Sequence, residues 1–444
     1  MKEKKQITAH RAVVTGMGFA LPGEKDKDEN RTLCLNKEQF WNIISNGTCC
    51  IENQGIYYGY IQQSREELQD YILSVPKNYM KNYNKTHLLG LISCQEACKD
   101  AGLVIGSSDF TDAAVLTART SIATCFDSFQ EFNTMDYKNT TPMDTLNMFH
   151  KLMLAVPVND AAMVQAAMLQ SGGDQFAIAC GCASGGVAVG IAQKMIMTGQ
   201  VDCVVVSGVE TISEGTIEQF LNLVDVANET GRKASFDAPP TAFLVDRWMA
   251  PYDKDACGYN SGIGSATIII ESEERAKKRG ARIYGEIIDQ YTARGNSKSA
   301  VSIDQTGEPL AKAIQKCLKD DLKASDIGYI NGGAQGDLIF NIFESNAIRK
   351  LFGKNAENLP VTSQEGCFGH NSSSLGITGV AATLLMMQHN EICPTAGCKT
   401  KDDICIFDPV PGTETRKETF DYALSFNYQA GGVCSCILMG KYEE

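Results

Sequence analysis

Phe176-Ala-Ile-Ala-Cys-Gly-Cys182-Ala-Ser-Gly-Gly-Val-Ala-Val-Gly-Ile-Ala-Gln-Lys194 reads as a short apolar strand that turns through small residues into a helix. Cys182 stands at the turn. A cysteine at a helix start faces unpaired backbone N–H groups and the positive end of the macrodipole, and both favour thiolate over thiol. The stretch therefore has the makings of an activated nucleophile. Cys, Ala, Ser and Gly also pack well wherever a strand closes onto a helix, so a purely structural reading stands beside the chemical one.

The surrounding composition narrows the choice. With 444 residues, 43% hydrophobic and 21% charged, the chain has the make-up of a globular protein with one large or two medium cores. Its 17 cysteines are odd in number and lack zinc-finger spacing, so neither a disulfide framework nor a metal site is expected. Met1 to Arg11 has no apolar signal core, and reduced thiols fit a cytoplasmic protein. No run of about 18 apolar residues predicts a membrane span. The net charge of −13 argues against nucleic acid or an anionic membrane as partner. An acidic partner would need a local basic patch.

Outward from the opening stretch, strands and helices alternate. His10 to Pro22 predicts a buried strand, Phe40 to Gly47 a short helix, His87 to Gly102 a longer one, and Ala113 to Thr124 a central strand. Lys77, Lys81 and Lys85 recur every fourth residue, which predicts a basic row along one helix face. Val201 to Glu210 is a continuous apolar strand of the kind covered on both faces. Residues 225–250 read as an irregular polar excursion. Strands at 264–271, 281–289, 327–331, 359–362, 421–427 and 433–440 alternate with helices at 308–322, 341–352 and 376–390. Such alternation on both sides of residue 275 predicts an α/β fold of two similar halves, 1–275 and 276–444, without a literal repeat.

Taken together these features resemble the elongating β-ketoacyl-acyl-carrier-protein synthases, which have the thiolase fold, and the resemblance covers essentially the whole chain. Arg11-Ala-Val-Val-Thr-Gly-Met-Gly18 is similar to the family's opening strand. Ala179-Cys-Gly-Cys182-Ala-Ser-Gly185 resembles its nucleophile motif A-C-x-[ST]-G. Pro251-Tyr-Asp-Lys-Asp255, Glu274 to Gly280, Glu344 to Gly353, Gly369-His370 and Ala430-Gly-Gly432 follow in family order. The resemblance implies five layers, α-β-α-β-α, with Cys182 as acyl acceptor and His370 as a catalytic histidine.

The family's other site residues are replaced. Its first histidine, in H-G-T-x-T, falls on Gly333. The lysine five residues before the second histidine falls on Glu365, and that lysine's glutamate partner falls on Gly379. The gating phenylalanine of G-F-G-G falls on Ala430. Members of the family use two histidines to hold the malonyl thioester oxygen as enolate charge develops, and losing such a donor costs on the order of 10²–10³ in rate. Weak malonyl decarboxylation is expected, with Gln335 or Asp337 as candidate substitutes. Glu365 is expected to orient His370 in a Cys–His–Glu set with the logic of an acyl-transfer triad.

The resemblance further implies an oxyanion hole from the backbone N–H groups of Cys182 and Ala430. A pocket residue is expected at Phe126, beside Gly333, Gln335 and Asp337. It places the lysine row where the family meets its acyl carrier protein, and it implies a homodimer through Gln175 to Ala179. No cofactor is expected. The function that follows is acyl transfer from a carrier-protein thioester through Cys182 to a second substrate in fatty acid, polyketide or related biosynthesis. The alternative is a non-catalytic partner, like a chain-length factor, in a heterodimer with a paralogous ketosynthase.

Overall fold

The computed structural model describes residues 10–120, 130–136, 138–212, 247–296, 298, 304–318 and 322–443. In the first half the strands along the path of the main sheet are β1 (Ala12–Lys25), β2 (Ala114–Ala118), β3 (Gln175–Ile178), β4 (Cys203–Glu210) and β5 (Gly264–Ser272). In the second they are β6 (Gly285–Arg294), β7 (Ile327–Asn331), β8 (Val361–Thr362), β9 (Tyr422–Gln429) and β10 (Val433–Gly440). The first half lies in the order β3-β2-β4-β5-β1 and the second in the order β8-β7-β9-β10-β6. Rank by rank these orders are the same. So are the pairings: β2 runs parallel to β3 and β4, as β7 does to β8 and β9, and the remaining neighbours are antiparallel. An antiparallel contact from Ala12 to Val14 on Gly285 to Ile287 joins them into one mixed sheet.

Helices fill the space on and between these sheets. Among the described residues those of ten residues or more are α1 (Lys85–Ala101), α2 (Pro142–Ala155), α3 (Asp160–Leu169), α4 (Ser184–Met197), α5 (Glu308–Cys317), α6 (Leu338–Phe352) and α7 (Leu375–His389). α1 and α3 cover the outer face of the first half, α5 and α6 that of the second, and α4 packs on α7 between the halves. The fold is the five-layered α-β-α-β-α arrangement expected.

The isoleucine run of β5 shows why such strands are apolar throughout. Ile268 and Ile270 enter the central core with Val189, Val380 and Ile437, while Ile269 enters the outer core with Leu88 and Val205. Successive side chains of a strand alternate faces, so a strand covered on both sides needs apolar residues at every position. Each such isoleucine contributes about 1.5–3 kcal/mol by leaving water.

The basic row is corrected by the structure. Tyr79–Asn82 forms a 3-10 turn, Tyr83 is extended, and Asn84 caps a new helix at Lys85 by accepting from the His87 N–H. That break puts the lysines out of phase. Lys77 pairs with Asp70, Lys81 is exposed, and Lys85 donates to the Ile61 carbonyl at 3.1 Å. β2 ends at Ala118, short of Thr124. Phe126 lies outside the described residues, as does the excursion at 225–250 except for 247–250. Among the described residues no single helix is long and apolar enough to cross a membrane.

Candidate active site

Cys182 sits in the connection from β3 to α4. Gly181 has φ +53°, a left-handed turn that glycine adopts at no steric cost. The Ser184 hydroxyl accepts from the Cys180 N–H at 2.7 Å and donates to the Gly181 carbonyl at 2.6 Å, tying the turn to the first residue of the helix. The Thr120 hydroxyl donates to the same carbonyl at 3.1 Å. Cys182 itself is half-buried.

His370 sits in the matching place of the second half, between β8 and α7. The one-turn helix Glu365–Phe368 leads into Gly369, whose φ is +80°. The His370 N–H then donates to the Asn260 carbonyl at 2.7 Å, and its own carbonyl accepts from Gly262 at 3.0 Å. Ser373 and Ser374 fix the following turn by donating to the carbonyls of Val209 and Gly208 on β4, both at 2.7 Å.

Small residues bring the two connections together. A Cβ on Gly376 would stand 2.1 Å from the Gly186 nitrogen, and one on Gly185 would stand 2.7 Å from the Ser373 carbonyl oxygen. Backbone therefore touches backbone where α4 meets α7. The residues that precede the two helices converge there.

The result is a continuous chain of contacts. His370 Nε2 lies 3.1 Å from Cys182 Sγ, and His370 Nδ1 lies 2.6 Å from Glu365 Oε2. The Tyr259 ring meets the imidazole edge-on, with centroids 4.9 Å apart. His370 and Glu365 are 7% and 6% exposed, so little water weakens their attraction. Burial pulls His370 towards its neutral form, but the Glu365 carboxylate and the Cys182 sulfur outweigh it and hold the imidazole well above its usual range. A cysteine, a histidine that can take its proton, and a carboxylate that orients the histidine make an arrangement suited to acyl transfer.

With that geometry in place, comparison with known proteins gives the family. Residues 9–276 match Beta-ketoacyl synthase, N-terminal domain, and residues 284–399 match Beta-ketoacyl synthase, C-terminal domain. The chain belongs to the β-ketoacyl synthase family. Its members are acyl-transferring condensing enzymes. It is 31% identical to a putative polyketide beta-ketoacyl synthase 1 of Streptomyces virginiae over 65% of this chain and 66% of that one. It is 24% identical to the tetracenomycin polyketide synthase ketoacyl synthase alpha subunit of Streptomyces glaucescens over 98% of each. Among solved structures, the ishigamide ketosynthase/chain length factor superposes with a TM-score of 0.78 at 19% identity, covering 98% of this chain and 100% of that one. The ketosynthase structure described as a type II PKS acyl-carrier protein in complex with its ketosynthase bound to the hexaketide gives 0.77 at 21%, with the same coverage.

Within this ketosynthase fold, the positions that depart from the family motifs are packed and not merely vacated. A Cβ on Gly333 would stand 2.8 Å from the Phe426 carbonyl oxygen and 2.9 Å from Tyr428 Cε2. The Gly333 N–H donates to Glu344 at 2.6 Å, and Gln335 donates to Asp337 at 2.7 Å, with Glu344, Gln335 and Asp337 all buried. A Cβ on Gly379 would stand 2.5 Å from Asn331 Oδ1 and 2.7 Å from Ser425 Oγ. Asn331 donates to Gln364, and Gln364 donates to Thr362 at 3.2 Å, so neutral amides and hydroxyls fill this region. Beside Glu365 they leave a cavity of ≈ 20 Å³, room for about one water. Ala430 is exposed in the turn from β9 to β10, where Gly431 and Gly432 have φ of +102° and +85°.

Three features escaped the sequence. Tyr259 on the imidazole, the Asn331–Gln364 amides and the carboxamide of Gln429 at the Cys180–Cys182 turn lie in segments whose local pattern carries no chemical signature. Gln429 alone left a trace: it occupies the first glycine of the G-F-G-G match.

Proposed function

We propose that this protein is a ketosynthase-like acyltransferase. It takes an acyl group from an acyl-carrier-protein thioester onto Cys182 and passes it to a second substrate, in polyketide, fatty acid or related biosynthesis. The observation that carries this reading is the contact chain from Cys182 through His370 to Glu365.

In the first step His370 Nε2 takes the thiol proton and the sulfur attacks the thioester carbonyl. The imidazolium is held between sulfur and the Glu365 carboxylate. Charge that develops on the carbonyl oxygen is assigned to the backbone N–H groups of Cys182 and Ala430. The tetrahedral intermediate collapses, the carrier thiolate leaves, and His370 returns the proton to it. In the second step a nucleophile attacks the acyl carbonyl, the carbon–sulfur bond breaks, and Cys182 leaves with the bonding electrons. With Gly333 at the family's first histidine, decarboxylation of a malonyl thioester is expected to be slow, while loading needs no such donor.

Relatives described with a carrier protein or a chain length factor suggest the partners. The carrier protein is the acyl donor, and a second thiolase-fold chain, identical or paralogous, is proposed to pair along β3. Among the described residues that edge strand is open, and elsewhere in the same half α2 exposes Met143, Leu146, Phe149 and Met153. The deciding test is the intact mass of the protein after incubation with acyl-carrier proteins. An acyl adduct that Cys182→Ala abolishes supports the reading. No adduct overturns it in favour of a non-catalytic, chain-length-factor-like partner.

A further inference from the structure

Gln429 ends β9 and lies across the nucleophile turn of the other half. A Cβ on Gly181 would stand 2.4 Å from its Cγ and 3.0 Å from its Nε2, so Gly181 must be glycine for space as well as for its φ. The Cys180 S–H donates to Gln429 Oε1 at 3.7 Å. With the oxygen facing Cys180, the two N–H bonds of Nε2 have no acceptor among the described residues. The side chain is half-buried and lies against Gly181, the residue before Cys182.

Two donors of the second half that the sequence put forward are engaged elsewhere. The Gly333 N–H is bound to Glu344 and the Gln335 amide to Asp337. A free amide against the nucleophile turn is thus at hand, where the family motif has a glycine with no side chain.

We propose that the Gln429 carboxamide binds the second substrate, donating to the carbonyl oxygen of an enolisable, carrier-bound malonyl-type thioester. This rests on the reading of Cys182 as acyl acceptor. In the step concerned the carbon–carboxylate bond breaks, carbon dioxide leaves, and the electron pair passes to the thioester oxygen, where the N–H of Gln429 meets the growing charge. The enolate carbon then attacks the acyl carbonyl on Cys182, and sulfur leaves with the bonding pair as a thiolate, which takes up one proton from solvent by way of His370. An amide does not titrate across the working pH range, so this donor adds no limb of its own to the pH profile.

The experiment separates the steps. Wild type, Gln429→Met, which keeps the size and removes the donor, and Gln429→Glu, which removes the N–H groups without adding apolar bulk, are each loaded from acyl-carrier protein. Each is then given malonyl-carrier protein while carbon dioxide is measured. Loading within about threefold of wild type and carbon dioxide release down on the order of 10²–10³ in a folded variant support the proposal. Release within about threefold of wild type overturns it, and so does an equal loss in both steps, which would make Gln429 a support of the turn. A wild type that loads but releases no carbon dioxide overturns this inference alone. A wild type that never loads overturns the acyl-acceptor reading itself.

Discussion

The two halves share a strand order and place their working residue at the same point, the connection from the third strand to a central helix, yet they equip it differently. In the first half the connection is short, and its polar groups are met by backbone and by the hydroxyls of Ser184 and Thr120. In the second it carries its own helical turn, which supplies Glu365 behind His370. One connection presents a thiol with little around it, and the other presents an imidazole with a carboxylate on its far nitrogen. Two halves of one strand order therefore yield an asymmetric site, because their connections differ while α4 packs tightly on α7.

Removing the sulfur breaks the comparison most completely. Cys182→Ala should abolish the acyl adduct by intact mass while leaving the fold intact, since the change is small and the site is half-buried. Next in size is the base. Glu365→Gln removes the charge that holds the imidazole above its usual range, so His370 becomes a poorer acceptor of the thiol proton. Acylation at neutral pH should fall on the order of 10²–10⁴. The pH profile of iodoacetamide alkylation at Cys182 should move to higher pH. An unchanged profile would remove Glu365 from the mechanism.

The outer edges of the halves differ as well. β8 is buried and bonded to the backbone of Asp408, whereas its counterpart β3 exposes Gln175, and elsewhere in the first half α2 exposes Phe149 and Met153. An open strand edge and an exposed apolar stripe are both places where a second chain would pair. Phe149→Asp with Met153→Asp should shift the protein from dimer to monomer in sedimentation, with smaller losses in acylation than at Glu365. A wild type that is already monomeric alone but pairs with a paralogous chain would point to a heterodimer.

Much of this was legible in the sequence because it depends on local pattern. Runs such as Val204 to Val206 and Ile268 to Ile270 announce strands covered on both faces, and Cys182, Glu365 and His370 stand within short motifs. The lysine row failed because helical spacing from Lys77 to Lys85 says nothing about the Asn84 cap that restarts the helix between them. Glu344 was visible only as part of a motif. Its two tyrosine partners, Tyr252 and Tyr428, are 92 and 84 residues away in the chain, a distance no local pattern spans.

Glu344 gives the smallest effect and the sharpest contrast in electrostatics. The first half pairs its buried Glu271 with Arg275 and Arg279, at 2.7 Å and 3.0 Å. The second holds Glu344 with neutral donors, the hydroxyls of Tyr252 and Tyr428 and the Gly333 N–H. Burial outweighs these three and pushes the carboxyl up to about 7. In the unfolded chain it titrates near the ordinary ~4.3. Between these values the unfolded chain releases a proton that the folded chain keeps, so stability falls as pH rises, by on the order of 3 kcal/mol in all. His370 acts in the same direction in a later window: its raised value stabilises the fold fully below about pH 6.5, and that stability is lost as pH rises through the folded value. Urea midpoints at about pH 5 and about pH 6.5 therefore isolate Glu344. Glu344→Gln should flatten the decline between them, and a variant that keeps the wild-type slope would show that the carboxyl is already ionised in the fold.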